Sequence, residues 1–402
     1  MTRQARVAAS AAAAFALALL VPVVTGGGPV AARQEPAAST VTPEALAAAI
    51  DRLGDFDFRT RTDAARLVRR APAAMAAPAL ARAVREHDDE YVRYRALVLV
   101  AGLGSDPAAG LMRQALEDRN DRLRTVAGGW YEHHPDPDVL PVLIRVLEGE
   151  RSEFVRPALT RAVAAQSADP RAQAALAPLV LQGQDFFRGG VIEALGDYGG
   201  TFALDAIDEV ARQDGPLQDD AITAIAKLGA KDRLTLVAGL QKTASPELQP
   251  TVSAALCLLG LDCEPRKQFI LQSLQFAAER GDDQPLLRGA VHALALLAVR
   301  GHDEALTALI DRAAGAPEEV RAPIALAVGQ VAIRHPEVFL RVLEARRDPS
   351  PGIGLLRDAF DMLSEDFEEE RFYVTVRRAY WAAAEGSATR RVAEALIVQL
   401  EF

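Results

Sequence analysis

The chain is short of cysteine, lysine and aromatic side chains, and each shortage removes a class of protein. Cys257 and Cys263 are the two cysteines in 402 residues, which excludes a disulfide-dense scaffold, and they form no Cys-x-x-Cys redox or metal pair. Lysine occurs four times against 41 arginines, and with 55 acidic residues the net charge is −10. A phosphate backbone would be repelled overall, so no nucleic-acid partner is expected. Aromatics make up 5% of the residues although 50% are hydrophobic. The apolar mass is therefore mostly Ala, Leu and Val, which suits closely stacked helices rather than sheets. Catalytic signatures are also missing: there is no Gly-rich phosphate loop, nucleophile elbow or His-Glu dipeptide. Of the six histidines only His133 and His134 are adjacent, and neighbours on one helix point about 100° apart, a poor geometry for chelation. No metal, cofactor or enzymatic activity is expected.

One long apolar run is present, and it stands at the amino terminus. Met1 to Arg6 carries two positive charges, Val7 to Val24 is almost unbroken Ala, Leu, Val and Phe, and Thr25-Gly26-Gly27-Gly28-Pro29 precedes Val30-Ala31-Ala32. This is the order of a secretory signal peptide, residues 1–32, with cleavage after Ala32. The competing reading is a retained anchor, for which the run, with Pro22 inside it, is marginal in length. Cleavage predicts a Sec-exported chain with no stable membrane span, whose home is extracytoplasmic, in a periplasm or the medium. Residues 33–42 read as a polar linker.

From residue 43 to residue 402 one phrase recurs: an acidic or Pro-containing turn, an apolar residue followed by Arg, then small residues of the Ala-Leu-Gly kind. Clear copies start at Tyr91-Val92-Arg93, Phe154-Val155-Arg156, Phe187-Arg188, Leu287-Arg288 and Val320-Arg321. The period is about 33 residues, the length of one helix pair in an array, and it predicts about eleven units. Between phrases lies a second apolar-periodic segment such as Val139 to Leu147, so each unit is a pair of helices. Asp-Pro steps at Asp106, Asp136, Asp169 and Asp348 mark helix starts, and glycines such as Gly149, Gly229 and Gly315 mark ends. The predicted fold is all-α: a curved α-solenoid of stacked pairs with a C-terminal cap.

The phrase Val-Arg-x-x-Ala-x-x-Ala-Leu-Gly, carried best by residues 92–104, 187–199 and 287–298, resembles the short HEAT repeats also found in phycobilisome lyase subunits. That resemblance implies a scaffold binding other macromolecules, with the second helix of each pair lining the concave face. The reading is an exported, non-catalytic scaffold that takes a protein partner on its concave face. The alternative is an enzyme or chromophore-lyase-like subunit using that face near Trp130 to His134.

Two places depart from the phrase. The third unit replaces small residues with Gly128-Gly129-Trp130-Tyr131-Glu132-His133-His134. With Tyr91, Tyr94 and Arg95 of the preceding unit, the residues Trp130, Tyr131, His133 and His134 form the candidate binding patch, against the plainer account that Trp130 fills a gap opened by the two glycines. The carboxyl end gathers Phe360, Phe367, Phe372, Tyr373, Tyr380, Trp381 and Phe402, the composition of a bulky cap, and its acidic run from Glu365 to Glu370 reads as a solvated helix start. Acidic residues such as Asp89, Asp121 and Glu318 precede the repeated arginines, which are expected to pair with turns of neighbouring units rather than with a ligand. Cys257 and Cys263 flank a helix end, and export makes them a candidate disulfide; a small-residue slot at Cys257 is the alternative.

Overall fold

The computed structural model describes residues 41–402, without Asp282 and Ser364 and without the side chains of residues 105–107. The signal-peptide and most of the linker assignments lie outside the described residues. Among the described residues there are 22 α-helices and no strand, and no helix is long and apolar enough to cross a membrane.

The helices form eleven consecutive pairs. The first five are α1 (Pro43–Asp51) with α2 (Phe58–Arg70), α3 (Ala73–Glu86) with α4 (Glu90–Ala101), α5 (Ser105–Ala115) with α6 (Asp121–His133), α7 (Leu140–Gly149) with α8 (Val155–Ala164), and α9 (Pro170–Leu176) with α10 (Asp185–Asp197). The next three are α11 (Leu204–Arg212) with α12 (Gln218–Lys227), α13 (Leu234–Leu240) with α14 (Gln249–Leu258), and α15 (Cys263–Arg280) with α16 (Gln284–Val299). The last three are α17 (Asp303–Ala313) with α18 (Glu318–Arg334), α19 (Pro336–Ala345) with α20 (Ser350–Leu363), and α21 (Asp366–Ala382) with α22 (Ala388–Gln399). Each recurrent phrase falls on the second helix of its pair.

The two helices of a pair have different burial because they have different neighbours. First helices bury one stripe, as α11 does with Ile207, Val210 and Ala211. Second helices are covered by their own partner and by the second helices before and after, so that every residue from Ala221 to Ala226 in α12, and from Pro250 to Cys257 in α14, is buried. Small residues set how closely these helices approach. A Cβ on Gly196 would stand 3.0 Å from the Ala224 Cα, and one on Gly329 would stand 2.3 Å from the Ala359 Cβ. The Ala-Leu-Gly part of the phrase is thus the contact between successive second helices.

The arginine of the phrase ties the turn to the helix. Arg61 donates to the Asp55 and Phe56 carbonyls, Arg93 to those of His87 and Asp88, and Arg124 to those of Asp118 and Arg119. Several also reach the next unit, Arg124 to Glu150 and Arg321 to Asp358. Helix boundaries follow local chemistry: Thr42 accepts from the Ala45 amide at 3.2 Å ahead of α1, and Asp169 from the Arg171 amide at 2.8 Å ahead of α9. Gly229 after α12 and Gly315 after α17 close helices at φ 63° and 72°. Gly149 differs, being the last residue of α7 before extended Glu150.

The final pair is arranged differently. Here α22 packs on α19, while α21 packs on α18 and on α4 and α6 of the second and third pairs. The array therefore meets itself, and its second helices face the meeting place. An aromatic cluster of Phe339, Phe360, Phe372, Tyr373 and Phe402 holds α21 to the last units, with Tyr373 stacked on Phe402 at 4.1 Å. The acidic run is not a solvated helix start: Phe367, Glu368 and Glu370 are buried, because α21 turns them toward arginines of other units.

Candidate protein-binding surfaces

The residues singled out in the third unit and before it separate into three environments. Tyr94, Arg95 and His133 lie where α21 meets the early units. Arg95 Nη1 is 2.7 Å from Asp366 Oδ2, and the Tyr94 hydroxyl donates to the same carboxylate. His133 Nε2 is 3.0 Å from Glu368 Oε1. Trp130 and Tyr131, 3% and 4% exposed, belong to the core. Trp130 stacks on the exposed His134 at 3.7 Å, and that ring's Nδ1 lies 3.0 Å from the Trp130 carbonyl. Burial lowers the His134 pKa from its ordinary value. Tyr91 lies beside Tyr94, ring centroids 5.7 Å apart, at the start of α4. The glycines beside Trp130 do not open a gap for it: the space at Gly128 is taken by Ala158, 2.9 Å from the position of a Cβ, and that at Gly129 by Phe367 at 2.7 Å.

Charged side chains from six helices extend the seam into a network. Glu132 of α6 accepts from Arg161 of α8 at 2.8 Å, from Arg334 of α18 at 3.1 Å and from the Tyr198 hydroxyl at 2.7 Å. Arg161 also reaches Asp197 at 2.9 Å, and Lys227 reaches Asp197 at 2.7 Å. Arg334 bridges to Glu365 at 3.2 Å, and Arg371 pairs with Glu368. Burial pushes the Glu132 carboxyl up, but Arg161 and Arg334 outweigh it and hold it below its ordinary value. Glu368 is likewise raised by burial and pulled lower by the His133 hydrogen bond and Arg334, to about 2. Glu369 lacks such compensation: burial and the nearby Asp366 push it up to about 8.

Glu132, His133 and Glu368 place ligand atoms within 4.8 Å of one another, close enough in principle for a cation. Arg161, Arg334 and Arg371 occupy the same carboxylate oxygens, so an ion would have to displace guanidinium groups from them. The sulfurs of Cys257 and Cys263 are joined 2.02 Å apart in a disulfide, which removes them as thiolate ligands. It links the end of α14 to the start of α15.

The rim is the second surface. Phe58, Phe154 and Phe186, at the starts of the second helices of pairs one, four and five, are 69%, 72% and 62% exposed, and Phe56 beside them is fully exposed. Pairs two and three contribute Tyr91 and Arg122 at the equivalent place. Guanidiniums lie over Phe58, Tyr91 and neighbouring rings: Arg61 is 5.7 Å from Phe58, Arg122 is 5.2 Å from Tyr91 and 5.6 Å from Tyr94, and Arg156 is 4.4 Å from Phe187. Because the second helices stack side by side, their starts lie along one edge, and aromatic and arginine side chains follow one another across five units. Of the three phenylalanines, the repeat phrase includes Phe154 alone; Phe58 and Phe186 fall outside it, although a bulky apolar residue at a helix start is a signal legible in the sequence.

Together the repeated pair, the buried second helices and the arginine clamps define a HEAT-like α-solenoid. No family model matches the chain, and no curated protein does. Among solved structures it is similar to the complex of CpcE and CpcF of phycocyanin lyase from Nostoc sp. PCC7120, at 16% identity and TM-score 0.39, covering 62% of this chain and 94% of that one. It is also similar to Kap95 in the Kap95:Nup1 complex, at 13% identity and TM-score 0.42, and to a Kap121p mutant, at 12% and 0.39. It spans 58% and 53% of the lengths of those two chains.

Proposed function

We propose that this protein is an exported, non-catalytic scaffold that binds a protein partner. The observation that supports it is the aromatic and arginine rim of the first five units. Phe58, Phe154 and Phe186 lie mostly in solvent although each could have been polar without disturbing the stack. Aromatic residues and arginine are the types enriched at protein interfaces and in their energetic centres, and contiguous exposed apolar surface marks binding sites. The charge order at the amino terminus supports export.

The test is recovery of partners from the native envelope and culture medium with the tagged full chain, compared with a Phe154→Ala, Phe186→Ala variant of unchanged melting temperature. The same preparation is sequenced from its amino terminus. A partner lost from the variant, with a chain beginning near Arg33, is the expected result. An unchanged set of partners removes the rim from the proposal, and a chain retaining Met1 to Val24 replaces export by anchoring.

A further inference from the structure

We propose that the groove where α21 meets α2, α4 and α6 is a receptor for an acidic, aromatic helix, and that α21 is its occupant in cis, which a partner helix of the same chemistry displaces. The inference adds to the scaffold reading and rests on it only in taking the competing occupant to be a protein.

The groove side is basic apart from Glu132 of α6, whose charge Arg161 and Arg334 take up. Arg69 holds Glu370 through two nitrogens at 2.6 and 2.9 Å, Arg95 holds Asp366 and His133 holds Glu368. The occupant side is acidic, with Glu365, Asp366, Glu368, Glu369 and Glu370 crowded into the start of α21. Shape agrees with charge. Two glycines of the inner helices sit where any side chain would meet α21: a Cβ on Gly102 would be 2.9 Å from Glu370 Oε1, and one on Gly129 would be 2.7 Å from the Phe367 ring. One phenylalanine thus enters a slot left by Gly129 while carboxylates on either side of it in sequence find Arg95 and His133. The pattern acid, Phe, acid, x, acid is what the groove reads.

This seam differs in kind from the contacts along the array. Successive second helices meet through small residues such as Gly196 and Ala224, whereas α21 meets the early units through the ion pairs named above together with Phe367, Val374 and the Tyr373 ring, over which Arg69 lies at 5.2 Å. On its other side α21 is fixed by Phe372, fully buried within the cluster of Phe339 and Phe360. Apolar burial is lost only by exposing surface to water, whereas for buried ion pairs the attraction given up on opening is largely offset by the hydration that both partners regain. The two ends of the array therefore part at the ionic seam, α21 leaving with the last units, and the basic groove is then open to an equivalent helix.

The probe is a fluorescent synthetic peptide with the sequence of residues 365–382, titrated into the full chain by anisotropy, beside a peptide of the same composition in scrambled order. Wild-type chain should bind it weakly, because its competent state is only fractionally populated. An Asp366→Asn, Glu370→Gln chain should bind it about tenfold more tightly, and adding Arg69→Ala and Arg95→Ala should abolish that gain. Equal affinity for the scrambled peptide, no gain in the first variant, or a gain that survives loss of both arginines overturns the proposal. Hydrogen exchange on the unaltered chain decides independently of variant folding: excess peptide should speed exchange in α21, and unchanged exchange at saturation would sink the idea. Failure here with partner recovery still dependent on Phe154 and Phe186 leaves the scaffold reading standing.

Discussion

At the scale of single residues, the same pair of charges does different work according to where it sits. Arg145 and Glu117 meet at 2.7 Å on the surface, both mostly exposed, and such pairs contribute little because water serves both partners nearly as well. Glu132 is 4% exposed and shared by Arg161 and Arg334. Removing it takes a shared carboxylate from two guanidiniums and from the Tyr198 hydroxyl in a poorly hydrated place, leaving Asp197 to Arg161 and Glu365 to Arg334. Glu132→Ala should therefore lower stability in urea unfolding by about 3 to 5 kcal/mol, while Glu117→Ala should change it by less than about 0.5 kcal/mol. Equal effects would mean that water reaches the network freely. Of the residues expected to form one patch, Tyr94, Arg95 and His133 share the seam, but Trp130 and Tyr131 point into the core. The sequence marked the unit as unusual without telling which way its side chains face, since helical spacing locates a residue on a stripe and not the neighbour that covers the stripe.

At the scale of the element, α21 carries the most conditional contact. Glu369 lies near Asp366 and Glu365 of its own segment, near Arg95 of α4 and near Arg69 of α2. Its pKa is raised from 4.5 to about 8, burial being the largest cause and Asp366 the next. An acid with a raised folded-state pKa favours the protonated form, so its stabilising contribution is fully present below about 4.5 and is lost as pH rises through about 8. The melting temperature should fall between about pH 5 and about pH 9, and Glu369→Gln should flatten that fall. A profile identical in the variant would show that other groups govern it. The acidic run looked like a solvated helix start because its partners Arg69, Arg95 and His133 are remote in sequence; His133 and Glu368, for example, are 235 positions apart.

At the scale of the whole array, meeting of the two ends changes what a deletion does. In an open solenoid each unit touches only its neighbours, and loss of one internal pair at matched phase is tolerated. Here α18 reaches α6 through Arg334 and Glu132, and α21 reaches α4 through Asp366 and Arg95. Excising α11 and α12 with their turns should break both links. Arg95→Ala should then destabilise the full chain but leave the melting temperature of the shortened chain unchanged, a coupling read from a double-mutant cycle. Additive effects would show that the seam survives without the middle of the array. The sequence by itself determined the all-α class, the eleven units, the place of the small residues, and the helix ends at positions such as Asp169 and Gly315, but it set the phrase arginines against neighbouring units whereas Arg61, Arg93 and Arg124 clamp the turn of their own. All of these depend on residues a few positions apart or on the next copy of a repeat, and local periodicity records such contacts directly. Only the tertiary structure decided that α21 turns inward, that Gly129 makes room for Phe367, and that Glu132 is shared across the array. Those contacts depend on the small rotation from one unit to the next, accumulated over all of them, a quantity that no single copy of the repeat carries.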